Sequence, residues 1–227
     1  MADETSIVVV GRGRLGSAVA SALGVSAVAH DAPLPSADAY WLAVPDRAIA
    51  TISGALPPGA LVLHSAGSLG PEVLAGHRGA VLHPLMTFPH PPGTTVPATL
   101  DGHPEAVALG VALAARLGWT VVGGVDDRVR YHAACCLVSG HLAALVADAA
   151  TLLAGATGVS ESVARDTLAP LAAASLARVV AAGPVAITGP AARGDAATIA
   201  AHRAALPAEL LPTYDALTVR IEKLRSR

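Results

Sequence analysis

The pattern of hydrophobic and polar positions changes character about halfway along the chain. Ile7-Val8-Val9-Val10 is an unbroken β-branched run, the signature of a strand buried on both faces. Residues 17–23 follow at helical spacing, and residues 25–29 and 40–44 read as two further short strands. Pro45-Asp46 opens another helix, because Asp46 can cap it and a carboxylate suits a helix N-terminus. Residues 61–64 and 80–83 complete the set of strands. Strands alternating with helices in this way predict a parallel, doubly wound sheet.

From about Asp126 only helical spacing remains. Residues 131–153, 159–182 and 208–223 form three amphipathic stretches, separated by Gly155, Gly158, Gly183-Pro184 and Gly189-Pro190, which are helix stops. The prediction is therefore an α/β domain over residues 1–125 followed by an all-α domain over residues 126–227. Residues 84–97 form a proline-rich excursion within the first domain, and Asp126-Asp127 reads as a helix cap rather than an acid/base pair.

Composition narrows the choices. Of 227 residues, 53% are hydrophobic and 14% charged, which excludes a largely disordered chain. The net charge is −2, with no basic cluster, so a nucleic-acid partner is not expected. Mean hydropathy is high, yet no stretch approaches the ~20 uninterrupted apolar residues of a spanning helix. The longest, residues 135–146, is cut by His141 and followed by Asp148. The acidic N-terminal Met-Ala-Asp-Glu-Thr is unlike a signal peptide. Cys135 and Cys136 are adjacent and offer no disulfide framework. A soluble cytoplasmic protein without a membrane partner is expected.

The strongest chemical motif is Gly11-Arg12-Gly13-Arg14-Leu15-Gly16, placed directly after a buried strand and before a helix. Gly11 permits the tight turn, Gly13 lets the backbone approach a pyrophosphate, and Gly16 allows close helix–strand packing. The helix start adds free N–H groups and a positive dipole end. Asp31, about 20 residues further on, stands where a carboxylate bonds the adenosine ribose, which favours NAD over NADP. Val44-Pro45 and Ser65 follow later strands at the same sheet edge and join the cofactor-side set. Between Asp31 and Tyr40 the chain is too short for another helix and strand, so the nucleotide half is shortened.

Other candidates fall at that edge. His64 and His83 end successive strands, where open parallel sheets bind ligands; the plainer reading makes them turn residues. His83 and His90 lack a third ligand at any diagnostic spacing, so no metal is predicted. Arg193, in a Gly-Pro…Arg-Gly-Asp turn, could clamp a substrate carboxylate or staple to Asp195, which caps a helix starting near Ala196.

Four stretches carry a family likeness: Gly11–Gly16, His83-Pro84-Leu85-Met86-Thr87-Phe88-Pro89, Tyr131-His132-Ala133-Ala134 and Thr188-Gly189-Pro190-Ala191-Ala192-Arg193-Gly194-Asp195. On these the chain resembles the small Rossmann-like oxidoreductases of the 6-phosphogluconate-dehydrogenase superfamily, relatives of ketopantoate reductase and pyrroline-carboxylate reductase. Within them it is most similar to a subgroup with a C-terminal helical domain of unknown function. The resemblance implies a nicotinamide-dependent reductase that dimerises through its helical domain. It also implies that the helix bearing His132 crosses the mouth of the nicotinamide site.

Two departures matter. The subgroup usually has Ser-Asn where this chain has Ser139-Gly140. Related hydroxyacid dehydrogenases use a lysine on the first helix of the second domain, whereas the single lysine here is Lys223, so a lysine acid at that place is excluded. His132 is the leading substitute, since a histidine can deliver a proton near neutral pH. Cys136 and Ser139 share its helical face, and Ser139 could bond a substrate oxygen. The alternative for His132 is a ring satisfied by backbone at the domain junction.

The sequence thus predicts an oxidoreductase using NAD or NADP to reduce a C=O or C=N bond of a small acidic metabolite. The candidate residues are His132, Ser139 and His83 for catalysis, with His64 and Arg193 for substrate. The rival is a non-catalytic dinucleotide-binding or sensing dimer with a degenerate site.

Overall fold

The computed structural model describes residues 5–225; Met1–Glu4 of the acidic N-terminal stretch and the last two residues lie outside them. β1 (Ile7–Val10), α1 (Arg14–Leu23), β2 (Ala27–Val28), β3 (Ala39–Leu42), α2 (Asp46–Gly54), β4 (Leu61–His64) and β5 (Arg78–Pro84) come first. β6 (Val96–Gly102), α3 (Pro104–Arg116) and β7 (Trp119–Gly123) follow. They build one seven-stranded sheet in the order β2-β1-β3-β4-β5-β6-β7.

The central strands bury both faces, as their unbroken apolar sequences require. In β3, Trp41 packs on one face with Val9, Leu63, Leu82 and the α1 and α3 residues Val19, Leu23 and Leu113. Its neighbours Tyr40 and Leu42 pack on the other face with Val10, Val62 and Ile49 and Ile52 of α2. Helices therefore cover both faces, giving the Rossmann-like doubly wound arrangement.

The sheet is parallel except at one pair of strands. β5 and β6 are antiparallel, because residues 85–95 return the chain as a loop instead of a helical crossover. β7 then pairs parallel to β6. β6, α3 and β7 were not foreseen; Pro97 inside β6 masks it, since proline usually marks an edge or no strand. Residues 29–38 contain neither helix nor strand, so β2 is the sheet edge and the nucleotide half is shortened.

After Gly123 only helices follow among the described residues: α4 (Arg128–Cys136), a π-helical segment (Leu137–His141), α5 (Leu142–Thr157), α6 (Glu161–Ala182), α7 (Pro190–Arg193), α8 (Ala196–Ala205) and α9 (Leu211–Arg225). Asp127 caps α4 through the Arg130 amide at 2.9 Å. Asp195 caps α8 through Thr198 at 3.1 Å. Strands end near residue 125, while compactness divides the chain into residues 1–141 and 142–227. The two lines differ because α4 packs with the sheet, through an Arg128–Asp101 ion pair and through Tyr131 on Thr99.

The helical stretches Arg128–Thr157 and Glu161–Arg193 are long and apolar enough, by length and composition, to cross a bilayer. Counting only uninterrupted apolar runs missed them, because alanines and isolated polar residues break the runs without lowering the average.

Candidate functional site

The glycine loop is built by close backbone approach. Gly11 has φ +117°, and a β-carbon on it would lie 2.1 Å from the Ala43 carbonyl oxygen. One on Gly16 would lie 2.0 Å from the Gly11 oxygen. A β-carbon on Gly13 would meet nothing within 4 Å. Two glycines thus let β1, β3 and α1 touch, and the third leaves open space at the α1 N-terminus. That combination of unpaired amides and clear room is what a pyrophosphate requires.

A cavity of about 720 Å³ covers this loop. Gly11, Arg12, Gly13, Arg14, Leu15 and His30 line one end, and Ser65, Ala66, His83, Pro84 and Phe88 the other, with Val44 and Pro45 between. Arg12 Nε donates to the Ala27 carbonyl at 3.2 Å, which lays the guanidinium over the end of β2. Asp31 is exposed and does not line the cavity; its neighbour His30 does.

Ser65 and His64 hold the loop after β4. Ser65 Oγ accepts from Trp41 Nε1 at 2.8 Å and donates to the Leu82 carbonyl at 2.8 Å. His64 is fully buried; its Nδ1 accepts from the Ala66 amide at 3.1 Å and its Nε2 donates to Gly70 O at 3.2 Å. Both nitrogens are engaged by backbone, so His64 shapes the loop and does not face a ligand. Gly67 follows, between two imidazoles: a β-carbon there would sit 2.8 Å from both His83 Nε2 and His132 Cδ2.

His83 ends β5 with its Nδ1 2.6 Å from the Tyr131 hydroxyl of α4. The Thr99 hydroxyl of β6 donates to the same Tyr131 oxygen at 3.1 Å. Burial, followed by the nearby His132 and Arg128 charges, lowers the His83 pKa to about 4. Burial pushes the Tyr131 hydroxyl upward, partly offset by the Thr99 hydrogen bond.

A second cavity, of about 350 Å³, is lined by His132, Cys135, Cys136, Val138 and Ser139. His83, Pro84, Met86 and Thr87 line both cavities. The His83 and His132 ring centroids are 6.4 Å apart, and Cys136 Sγ lies 3.9 Å from the His132 ring nitrogens. Ser139 Oγ donates to Cys135 O at 2.7 Å, inside the π-helical segment, a distortion frequent at functional sites. Arg193 is exposed at the end of α7 in the second unit. Among the described residues no cluster of three or more His, Cys, Asp or Glu could hold a metal.

The structure therefore gathers His83, His132 and Ser139 around one wall and the glycine loop, Val44, Pro45 and Ser65 around the other. Sequence reasoning missed Tyr131, Thr99, Gly67, His30 and the cavity face of residues 86–88. Tyr131 adjoins His132 in a quoted motif, which was the one signal available for it.

Fold and site together define a shortened Rossmann-like dinucleotide fold with a helical C-terminal unit. The profile of the domain-of-unknown-function family DUF2520 matches residues 96–221, and the chain belongs to that family. No curated protein matches the chain. Among solved structures, it resembles a "putative NADP oxidoreductase" from Bacteroides fragilis, with 22% identity, TM-score 0.80, and 97% and 98% of the two chains covered. Protein TM1727 from Thermotoga maritima is similar over 97% and 98%, at 19% identity and TM-score 0.71. A reductive aminase from Aspergillus terreus, solved with NADPH and ethyl levulinate, is similar over 95% and 93%, at 19% identity and TM-score 0.68.

Proposed function

We propose that the protein is an NAD(P)-dependent oxidoreductase that reduces a C=O or C=N bond of a small acidic metabolite. The observation that carries this reading is a shared lining: His83, Pro84, Met86 and Thr87 border both the glycine-loop cavity and a second, metabolite-sized one, so the two lie side by side. The glycine loop fits a dinucleotide by the open space at Gly13 and the close approaches at Gly11 and Gly16. A bound nicotinamide would supply the hydride. The chain would hold the pyrophosphate at α1, seat the ring beside Ser65 and Pro84, and present His83 and His132 to the substrate. Relatives named as NADP-linked or NADPH-bound share the fold and support the cofactor assignment. The acidic class of substrate is carried over from the sequence motif around Arg193, a residue that lines neither cavity.

Two further parts belong to this reading. The protein works as a homodimer through its helical unit, because Leu171, Leu176, Val179 and Val180 of α6 are exposed in the single chain and large apolar surfaces mark interfaces. It is soluble and cytoplasmic, its two apolar helical stretches being covered by the second copy instead of lipid. NADH and NADPH oxidation against keto acids and cyclic imines tests the activity, and turnover of none of them contradicts it. The second reading, a dinucleotide sensor without catalysis, is favoured by the missing helix and strand after β2, which leave the adenine end open. Cofactor binding without turnover would identify it.

A further inference from the structure

The Tyr131 hydroxyl carries one proton and has three neighbours, Thr99, His83 and Cys135. Thr99 Oγ1 donates to the phenolic oxygen at 3.1 Å, and of the two groups that can accept, His83 Nδ1 is the stronger base and lies at 2.6 Å, a short O–H···N contact. A neutral imidazole bears its hydrogen on one nitrogen only. With Nδ1 accepting, that hydrogen sits on Nε2. Nε2 has no hydrogen-bond partner among the described residues, and it borders Gly67, whose missing side chain leaves it uncovered.

We propose that Tyr131, supported by Thr99, is a positioning residue that locks His83 as the Nε2–H tautomer, aimed as a hydrogen-bond donor at a substrate carbonyl oxygen. This deepens the reductase reading and rests on it. It also chooses between the two bond types left open above. When hydride from a bound nicotinamide reaches a carbonyl carbon, the π pair moves onto oxygen, and a preorganised N–H stabilises the negative charge there until the oxygen takes a proton from solvent. An iminium nitrogen has no lone pair to accept that bond, and its positive charge is disfavoured beside Arg128, whose charge already acts on His83 and Tyr131. The geometry therefore favours a ketone, aldehyde or keto acid over an iminium ion.

The test reads the tautomer directly, by long-range 15N–1H spectra of ligand-free protein, with His83→Asn to assign the signals. The wild type is expected to show a protonated Nε2 and an unprotonated Nδ1. Tyr131→Phe, and as a second variant Thr99→Val, should give mixed tautomers. With keto acids, Tyr131→Phe should lower kcat by about 10–100-fold, the range seen when the outer partner of an oriented histidine is lost, at unchanged NADPH affinity. A proton on Nδ1 in the wild type, or an unaltered spectrum in both variants, overturns the proposal. So does wild-type turnover of imines but not of carbonyls. Failure to bind NADPH overturns the reductase reading instead, and is told apart because the spectrum needs no ligand.

Discussion

Gly16 packs so tightly on Gly11 that a β-carbon at position 16 would stand 2.0 Å from the Gly11 carbonyl oxygen. The obstructing atom is backbone and cannot swing aside. Gly16→Ala should therefore separate α1 from β1, at a cost of about 1–3 kcal/mol or more, read as a lower thermal midpoint. Gly13→Val, in the same loop, should leave that midpoint unchanged, because its side chain enters open space. Equal destabilisation by both variants would contradict this geometry.

The cofactor preference follows from what stands over the end of β2. Arg12 is tied to the Ala27 carbonyl, His30 lines the cavity and Asp31 does not. A 2′-phosphate would meet Arg12 and His30 there, so NADPH should bind more tightly than NADH. Asp31 alone predicts the opposite preference, and the titration below decides between the two. Arg12→Gln should weaken NADPH by about 10-fold or more, the worth of a charged hydrogen bond, and leave NADH nearly unaffected. Competitive fluorescence titration of the two cofactors reads both numbers.

Acid should destabilise the protein through its buried histidines. His83 is lowered to about 4 and His64 is lowered as well, mainly by burial. His132, Arg128 and His64 face His83 with repulsive effect, while Asp46 opposes them; Tyr131 bonds it directly. A depressed histidine contributes stability that is full above its unfolded pKa of 6.5. That contribution is lost as pH falls from there toward 4. For His83 the loss is at most about 3 kcal/mol. Denaturant unfolding between pH 7 and 4 should fall more steeply for the wild type than for His83→Asn.

The helical unit should associate. Val180 is 86% exposed and Leu171 65% exposed on α6, an unusual fate for residues of a stable monomer. Light scattering without detergent should give twice 22.5 kDa, and the double variant Leu171→Asp, Val180→Asp should shift the mass to the monomer. A wild-type monomer, or a need for detergent, would contradict the dimer.

What could be read ahead depended on how local each feature is. Gly11, Gly13 and Gly16 lie within one strand–turn–helix, so their roles followed from spacing, and the missing crossover after Asp31 followed from length. The Tyr131–His83–Thr99 arrangement joins α4, β5 and β6 across 48 and 32 positions. Nothing periodic marks such a meeting. β6 itself was hidden by Pro97, and with it the antiparallel turn that brings Thr99 beside His83. His64 shows the opposite error: its place at a strand end was legible, but its burial against Gly70 and Ala66 was not.

The central claim is that a dinucleotide sits on the glycine loop, against the wall that His83 shares with the second cavity. Isothermal titration of NADPH into wild type and Gly13→Val tests it most directly. One site per chain is predicted for the wild type, with none detectable in the variant at an unchanged melting temperature. No binding to the wild type, or equal affinity in the variant, would contradict the account.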